Sequence, residues 1–548
     1  MVSGIFDRSS RIWESYAFAQ DDWRLAPNFT VNLGLRYDWL PPATDASGRQ
    51  GNLDINRLNP TPPVAGTLAG VVVPGNFPGT VPAGVTQTGG GYILSGNSDG
   101  VFGPRIGFSW NPFARALGTV VRGGYGVYYS RITGQVQSQG ATSQPFGNLT
   151  ALGGPAAGNS SFQNPFLGIP ASFPAFTPYS PTTALSATVV DNNVRPGIIQ
   201  QTSFGVQQEF PHRWVLELAT ADSRGTHMLR TIDRNQALLA TAASPVNGVT
   251  TSTVANVNSR IPYQGFTVTG LNQVQSEGSY WYSDLEATLR KQFTRGMSMQ
   301  AAYTWSKTLD TDALNDVSGS SAGSAIGNSI GNHTRYGQAN FSRPNRLVVS
   351  YVYELPFFHD ASGFKGYGLG GWGVSGVTTI QEGHTLTVMG TNANNVYGIT
   401  GAGSDYAQLV PGCTQAMERK GGSVQSKIGT SFVRTPYFNT ACFFTTGTTA
   451  AAYPIIGDDG KGTTFGNSGV GAVRGPGQNN YDISILKRMR LPIDSVSNLE
   501  FRGELFNAFN TPQFGDPDLN VGDGATFGAI STTNVSPRVV QFALKINY

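Results

Sequence analysis

The sequence predicts an all-β fold, an antiparallel transmembrane β-barrel of outer-membrane type, on three observations. Apolar and polar residues alternate through about thirteen runs, short and long connections alternate between those runs, and aromatic residues gather at the run ends. Composition agrees with this. The 548 residues include 70 glycines, roughly twice the usual share, and 13% charged residues, about half the usual quarter. Aromatic residues at 11% exclude a disordered chain.

The runs follow in order. The first, about 14–25 ("ESYAFAQDDWRL"), carries apolar residues in both phases, so its faces stay unassigned. In "NFTVNLGLRYD", Phe29, Val31, Leu33, Leu35 and Tyr37 share one face, and Thr30, Asn32, Gly34, Arg36 and Asp38 share the other. Similar runs cover about 102–110, 119–130, 199–210 and 213–222. A long hairpin comes next. Leu285, Ala287, Leu289 and Phe293 oppose Asp284, Glu286, Thr288, Arg290 and Gln292, and after a turn at 294–297 Met299, Ala301, Tyr303 and Trp305 oppose Ser298, Gln300 and Thr304. Runs at about 343–355, 371–381, 478–490 and 497–509 lead to the ending "RVVQFALKINY". There Val540, Phe542, Leu544, Ile546 and Tyr548 face one way, and Val539, Gln541, Ala543, Lys545 and Asn547 face the other.

The connections also alternate. Short ones fall at 26–28, 111–118, 211–212, 294–297 and 491–498, with a somewhat longer one at 356–370. Long polar ones cover about 40–101, 131–198, 223–279, 309–342, 382–477 and 510–537. A soluble sandwich gives no reason for such segregation, whereas an outer-membrane barrel has short periplasmic turns and long outer loops. Most runs reach the 9–11 residues or so that a tilted membrane strand needs. Trp23, Tyr37, Trp39, Trp110, Tyr128, Tyr129, Trp214, Tyr303, Trp305, Tyr353 and Trp372 sit where interface girdles belong. The polar faces then line a lumen, which receives Glu286, Arg290, Glu500, Arg502 and Glu504.

Other classes are excluded. A net charge of +3 without a long basic run argues against nucleic acid as a partner. No stretch approaches the roughly 18 apolar residues of a spanning helix, so a membrane crossing must use strands. The opening residues also lack the basic segment and apolar core of a secretory leader. Cys413 and Cys442 allow one bridge, within or beside the 382–477 loop, and an oxidising exterior favours it over two free thiols.

No catalytic, cofactor or metal residues are assigned. Ser98 and Ser329 lie in G-x-S-x-G matches, but neither match sits between a strand and a helix. His212, His227, His333, His359 and His384 are scattered, and Asp310, Asp312 and Asp316 lack the glycine of an EF-type loop.

Several segments resemble a known family. "AFAQDDWRLAPNFTVNLGLRYDWLPP" is similar to the paired-strand segment of TonB-dependent receptors. "VRGGYGVYY", "SRGTHML", "RGPGQNNYDISILKR" and "FRGELFNAFNTPQF" resemble the Oar-like branch. The resemblance covers nearly the whole chain through an ordered series of motifs. It implies a 22-stranded barrel filled by an N-terminal plug, with uptake of a scarce substrate powered by the TonB complex. On that basis residues 1–548 are the C-terminal portion, about thirteen of 22 strands, with the plug and an N-terminal β domain absent. The alternating Phe542, Leu544, Ile546 and Tyr548 resemble the signal by which such barrels are handed to their assembly machinery. The implied partners are outer-membrane lipid, that machinery, the TonB complex through an N-terminal region, and an unknown substrate held by the long loops. A passive pore or an adhesin would use the same strands without energy coupling.

Strand direction adds an expectation of its own. The run at 14–25 enters a short turn and the run at 538–548 follows a long loop, so both head toward the periplasm. Strands pointing the same way cannot be antiparallel neighbours, so at least one strand is missing from a regular barrel.

Overall fold

A computed structural model describes residues 2–4, 7, 9–94, 100–113, 118–132, 144–149, 174–311, 326–330, 336–357, 363–400, 404–414, 436–444, 453–491 and 497–547. Its main element is a 15-stranded sheet with thirteen strands on one continuous path. They are β1 (Ser15–Ala26), β2 (Phe29–Trp39), β3 (Val101–Trp110), β4 (Thr119–Ser130), β5 (Gly197–Phe210), β6 (Trp214–Asp233) and β7 (Phe266–Thr294). There follow β8 (Met297–Asp310), β9 (Asn345–Glu354), β10 (Trp372–Gln381), β11 (Gln478–Arg490), β12 (Asn498–Phe506) and β13 (Val539–Asn547). Each strand pairs antiparallel with its predecessor and successor, a pure meander. Among the described residues β1 pairs along the path only with β2 and β13 only with β12, so the sheet is not closed.

Turn chemistry sets the hairpins. Between β7 and β8, Arg295 (φ 52°) and Gly296 (φ 77°) both lie in the left-handed region, which matches the twist of a two-residue hairpin. Gly296 is also closely approached. A Cβ there would stand 2.8 Å from the Glu354 carbonyl oxygen, and Glu354 N–H donates to Gly296 O at 2.7 Å. The hairpin tip thereby closes the end of β9.

Register fixes the faces. Leu216, Leu289, Ala301, Val349 and Thr378 form one cross-strand row on the outward face, and Val121, Val206, Leu218, Ala287, Tyr303 and Leu347 form another. Between them runs the inward row Gln207, Glu217, Thr288, Ala302, Val348, Thr379 and Asn480. Outward side chains such as Leu218, Leu285, Tyr303, Ile380 and Ile485 stay exposed, as a wall bathed by hydrocarbon requires. The phase of β1 is settled by its partner, since Gln20 faces Gly34 and Asp22 faces Asn32 on the inward side.

The structure corrects several boundaries. The segment 223–279 is not wholly loop, because β6 continues to Asp233 and β7 begins at Phe266. Their extensions pair with each other, and Leu185–Val190 adds to β7 in parallel on its other edge. The ribbon is polar in composition, so no alternation announced it; backbone pairing and packing against loops stabilise it instead. Strands β9 and β12 end at Glu354 and Phe506, short of the expected 355 and 509.

Buried apolar clusters lie mainly in the long connections. Leu53, Ile55, Leu58, Val71, Tyr179, Val189, Phe266 and Leu271 form one core, and Leu386, Val388, Phe438, Cys442, Phe443 and Phe527 belong to another. The described parts of the long loops are therefore a packed cap, not loose polar tethers. No helix among the described residues is long and apolar enough to cross a membrane.

Candidate functional site

The inward face of the wall is built from small and polar side chains. One row reads Gln20, Gly34, Arg105, Gly126, Gln201, Ser223 and Tyr282, and the next reads Asp22, Asn32, Gly107, Gly124, Ser203 and Ala221. All of these but Asp22 line a groove of about 520 Å³. Gly126 leaves room for the Tyr128 ring, over which the Arg105 guanidinium stacks at 4.7 Å. A second groove, of about 480 Å³, carries Arg290, Gln300, Ser350, Asp482, Ser484 and Glu504.

Charges on this face meet partners. Glu500 accepts from Arg488 Nε at 2.8 Å and from Arg502 Nε at 2.5 Å, and Arg488 reaches Glu354 at 2.9 Å. Arg290 donates to Gln300 at 3.3 Å. Such bonds offset the cost of removing these ions from bulk water.

Above the wall the loops are tied together by buried polar residues. Arg260 is fully buried, yet it donates to Asn256 Oδ1 (2.7 Å), Thr253 O (2.9 Å), Leu238 O and Val396 O (2.6 Å). The last bond crosses from the β6–β7 connection to the β10–β11 connection. Two more follow it: Ala237 N–H to Tyr397 O at 3.1 Å and Asp458 N–H to Ser252 O at 2.9 Å. A third connection joins through Gln236, whose side chain bonds Asn328 Oδ1 at 2.9 Å and Ser329 N–H at 2.7 Å. On the other side Tyr179 is fully buried against Phe266, with ring centroids 4.9 Å apart. Its hydroxyl accepts from Asn59 N–H at 2.9 Å and donates to Ala69 O at 2.8 Å.

The β10–β11 connection holds a buried acid. Asp405 is fully buried and accepts from Tyr406 N–H (2.8 Å) and Gly466 N–H (3.2 Å). Burial dominates those bonds and pushes its carboxyl up to about 7. The same connection joins Cys413 to Cys442 as a disulfide, with Cα atoms 5.6 Å apart.

The remaining residues singled out in the sequence are not brought together. Phe542, Leu544 and Ile546 stand exposed on the outward face of β13, opposite Gly503, Phe501 and Leu499, while Tyr548 lies outside the described residues. Ser98, His333, His359, Asp312 and Asp316 also lie outside them. Ser329 is buried in the cap, His212 sits in the β5–β6 turn, and His384 bridges Arg343 (3.2 Å) and Asp516 (3.1 Å). Among the described residues no three histidine, cysteine or acidic side chains gather to hold a metal. Arg260, Asp405 and Tyr179 carry no sequence motif; their roles come from partners up to 136 residues away.

Comparison with known families decides the class. A model of the outer membrane beta barrel domain matches residues 2–541. The chain belongs to that family. It is an outer-membrane protein of the barrel type. No curated protein matches it. Among solved structures it is similar to the ferric-catecholate import receptor Fiu of Escherichia coli K12, with TM-score 0.38 and 10% identity over 98% of this chain and 44% of that one. The outer membrane transporter YddB of Escherichia coli gives TM-score 0.41 and 8% identity over 98% and 54%. The siderophore receptor PiuA of Acinetobacter baumannii gives TM-score 0.39 and 10% identity over 98% and 43%. The chain thus spans about half the length of these structures or less.

Proposed function

We propose that this chain is the C-terminal part of an Oar-like TonB-dependent receptor barrel. It binds a substrate through its outer cap and, joined to an N-terminal plug, takes that substrate up with TonB-derived energy. The motif series from "AFAQDDWRLAPNFTVNLGLRYDWLPP" to "FRGELFNAFNTPQF" supports this assignment. The observation that carries a receptor over a passive pore is the cap itself. Three long connections are locked together by Arg260 and Gln236, which suits selective capture better than free passage.

The open sheet supports the partial-barrel reading. Thirteen antiparallel strands leave β1 and β13 running the same way, so direct closure would need a parallel pair. Further strands would complete the wall, 22 in all by family resemblance. Each unpaired edge group in lipid would otherwise cost several kcal/mol.

Solute depletion tests the function. Cells carrying the receptor with its upstream coding segment, with and without working TonB, are incubated in a complex medium that is then read by mass spectrometry. TonB-dependent loss of a solute is expected. Equal loss without TonB would contradict active uptake and favour a passive pore.

A further inference from the structure

We infer that a cavity at the outer end of β6 binds a small organic anion, a carboxylate with an apolar body, through Arg234. The inference deepens the receptor reading and rests on it. The cavity holds about 450 Å³, within the range of small-molecule sites. Arg230, Asp233, Arg234 and Glu277 line it with charged groups, and Ile232, Leu238 and Ile330 supply apolar surface.

Arg234 is held ready. Its Nε donates to Gln273 Oε1 at 2.6 Å and its Nη2 to Gln275 Oε1 at 3.3 Å, and both glutamines are buried. These partners are neutral amides, and among the described residues no carboxylate pairs with this guanidinium. Glu277 accepts from Gln275 Nε2 at 2.9 Å and stands 3.5 Å from Arg230, while Asp233 accepts from Asn235 N–H at 2.8 Å.

The backbone beneath is fixed as well. Fully buried Asn235 donates to Phe266 O (3.1 Å) and Thr267 O (2.9 Å) and accepts from Tyr263 N–H at 2.9 Å. A guanidinium oriented by neutral acceptors, with Nη1 still available, presents a preorganised charge to an incoming carboxylate. The apolar lining beside it would take the rest of the ligand.

The test uses acetyl-dileucine and its C-terminal amide, which share a body and differ in charge. Binding to the full detergent-solubilised chain is measured by titration calorimetry, with the heat-dependent gel mobility shift confirming that each variant is folded. The acid should bind at least tenfold tighter than the amide. Arg234→Gln should abolish that difference, Arg234→Lys should keep part of it, and Lys461→Gln, on an exposed loop, should keep all of it. Equal binding of acid and amide, discrimination that survives Arg234→Gln, or no binding by the folded chain would each overturn the proposal. Failure of TonB-dependent solute depletion with this discrimination intact would count against the transport reading alone.

Discussion

Arg260 Nη2 donates to the carbonyl oxygen of Val396 at 2.6 Å, joining two loops that leave the wall at different strand pairs. The guanidinium is fully buried and spreads its donors over four oxygens, three of them backbone carbonyls. A buried cation is tolerated there because its hydrogen bonds are made.

Loss of that side chain should open the cap. Arg260→Met leaves buried carbonyls of both loops unsatisfied and should destabilise the cap by about 2–4 kcal/mol. Limited proteolysis of the folded protein would show earlier cleavage within 234–263 and 386–400, with the strands protected. Unchanged cleavage would remove Arg260 as the tie.

The Cys413–Cys442 bridge spans 29 residues of sequence within the cap. Replacing both cysteines with serine should cost the cap about 3–4 kcal/mol on the chain-entropy account. Mass spectrometry without reductant should find the two peptides linked. Two alkylated thiols in protein recovered from an oxidising compartment would contradict the pairing.

Asp405 makes the cap sensitive to pH. Burial raises its carboxyl to about 7, against about 3.9 in an unfolded chain. A raised acid stabilises the folded loop through its neutral form. That contribution is complete below about pH 4, is lost as pH rises toward 7, and changes little above that. Hydrogen exchange around 389–410 and 463–467, corrected for intrinsic rates, should quicken between pH 5 and 7. Asp405→Asn should flatten the profile, and an unaltered profile would sink the assignment.

The two faces of β9 should respond oppositely to charge. Val349→Arg places a cation on the outward face near mid-strand and should cost about 2–4 kcal/mol, whereas Ser350→Arg on the inward face should be close to neutral. Urea unfolding in lipid vesicles checks both. Equal costs would mean that the register places the faces wrongly.

The wall was largely legible in the sequence. Its outward positions must be apolar at every second residue, so strands such as β2, β8 and β13 announce themselves. The phase of β1 was not legible, because Tyr16 and Phe18 share the inward parity of Gln20 and Asp22. Only pairing with β2 resolves it. The ribbon beyond Gly225 was missed for a related reason: outside the membrane neither face need be apolar, and "THMLRTID" alternates nothing. The cap was read as polar loop because Arg260, Asp405 and Arg234 acquire their surroundings from distant segments. Cys413 and Cys442 were legible only as a count of two.

The most direct test of the membrane wall is a nitroxide scan of residues 347–352 in lipid vesicles, reading collisions with oxygen, which partitions into lipid, and with a water-soluble nickel chelate. Labels at 347, 349 and 351 should respond to oxygen, and those at 348, 350 and 352 to nickel, alternating with a period of two along β9. Uniform access to nickel at all six positions would contradict a lipid-facing wall.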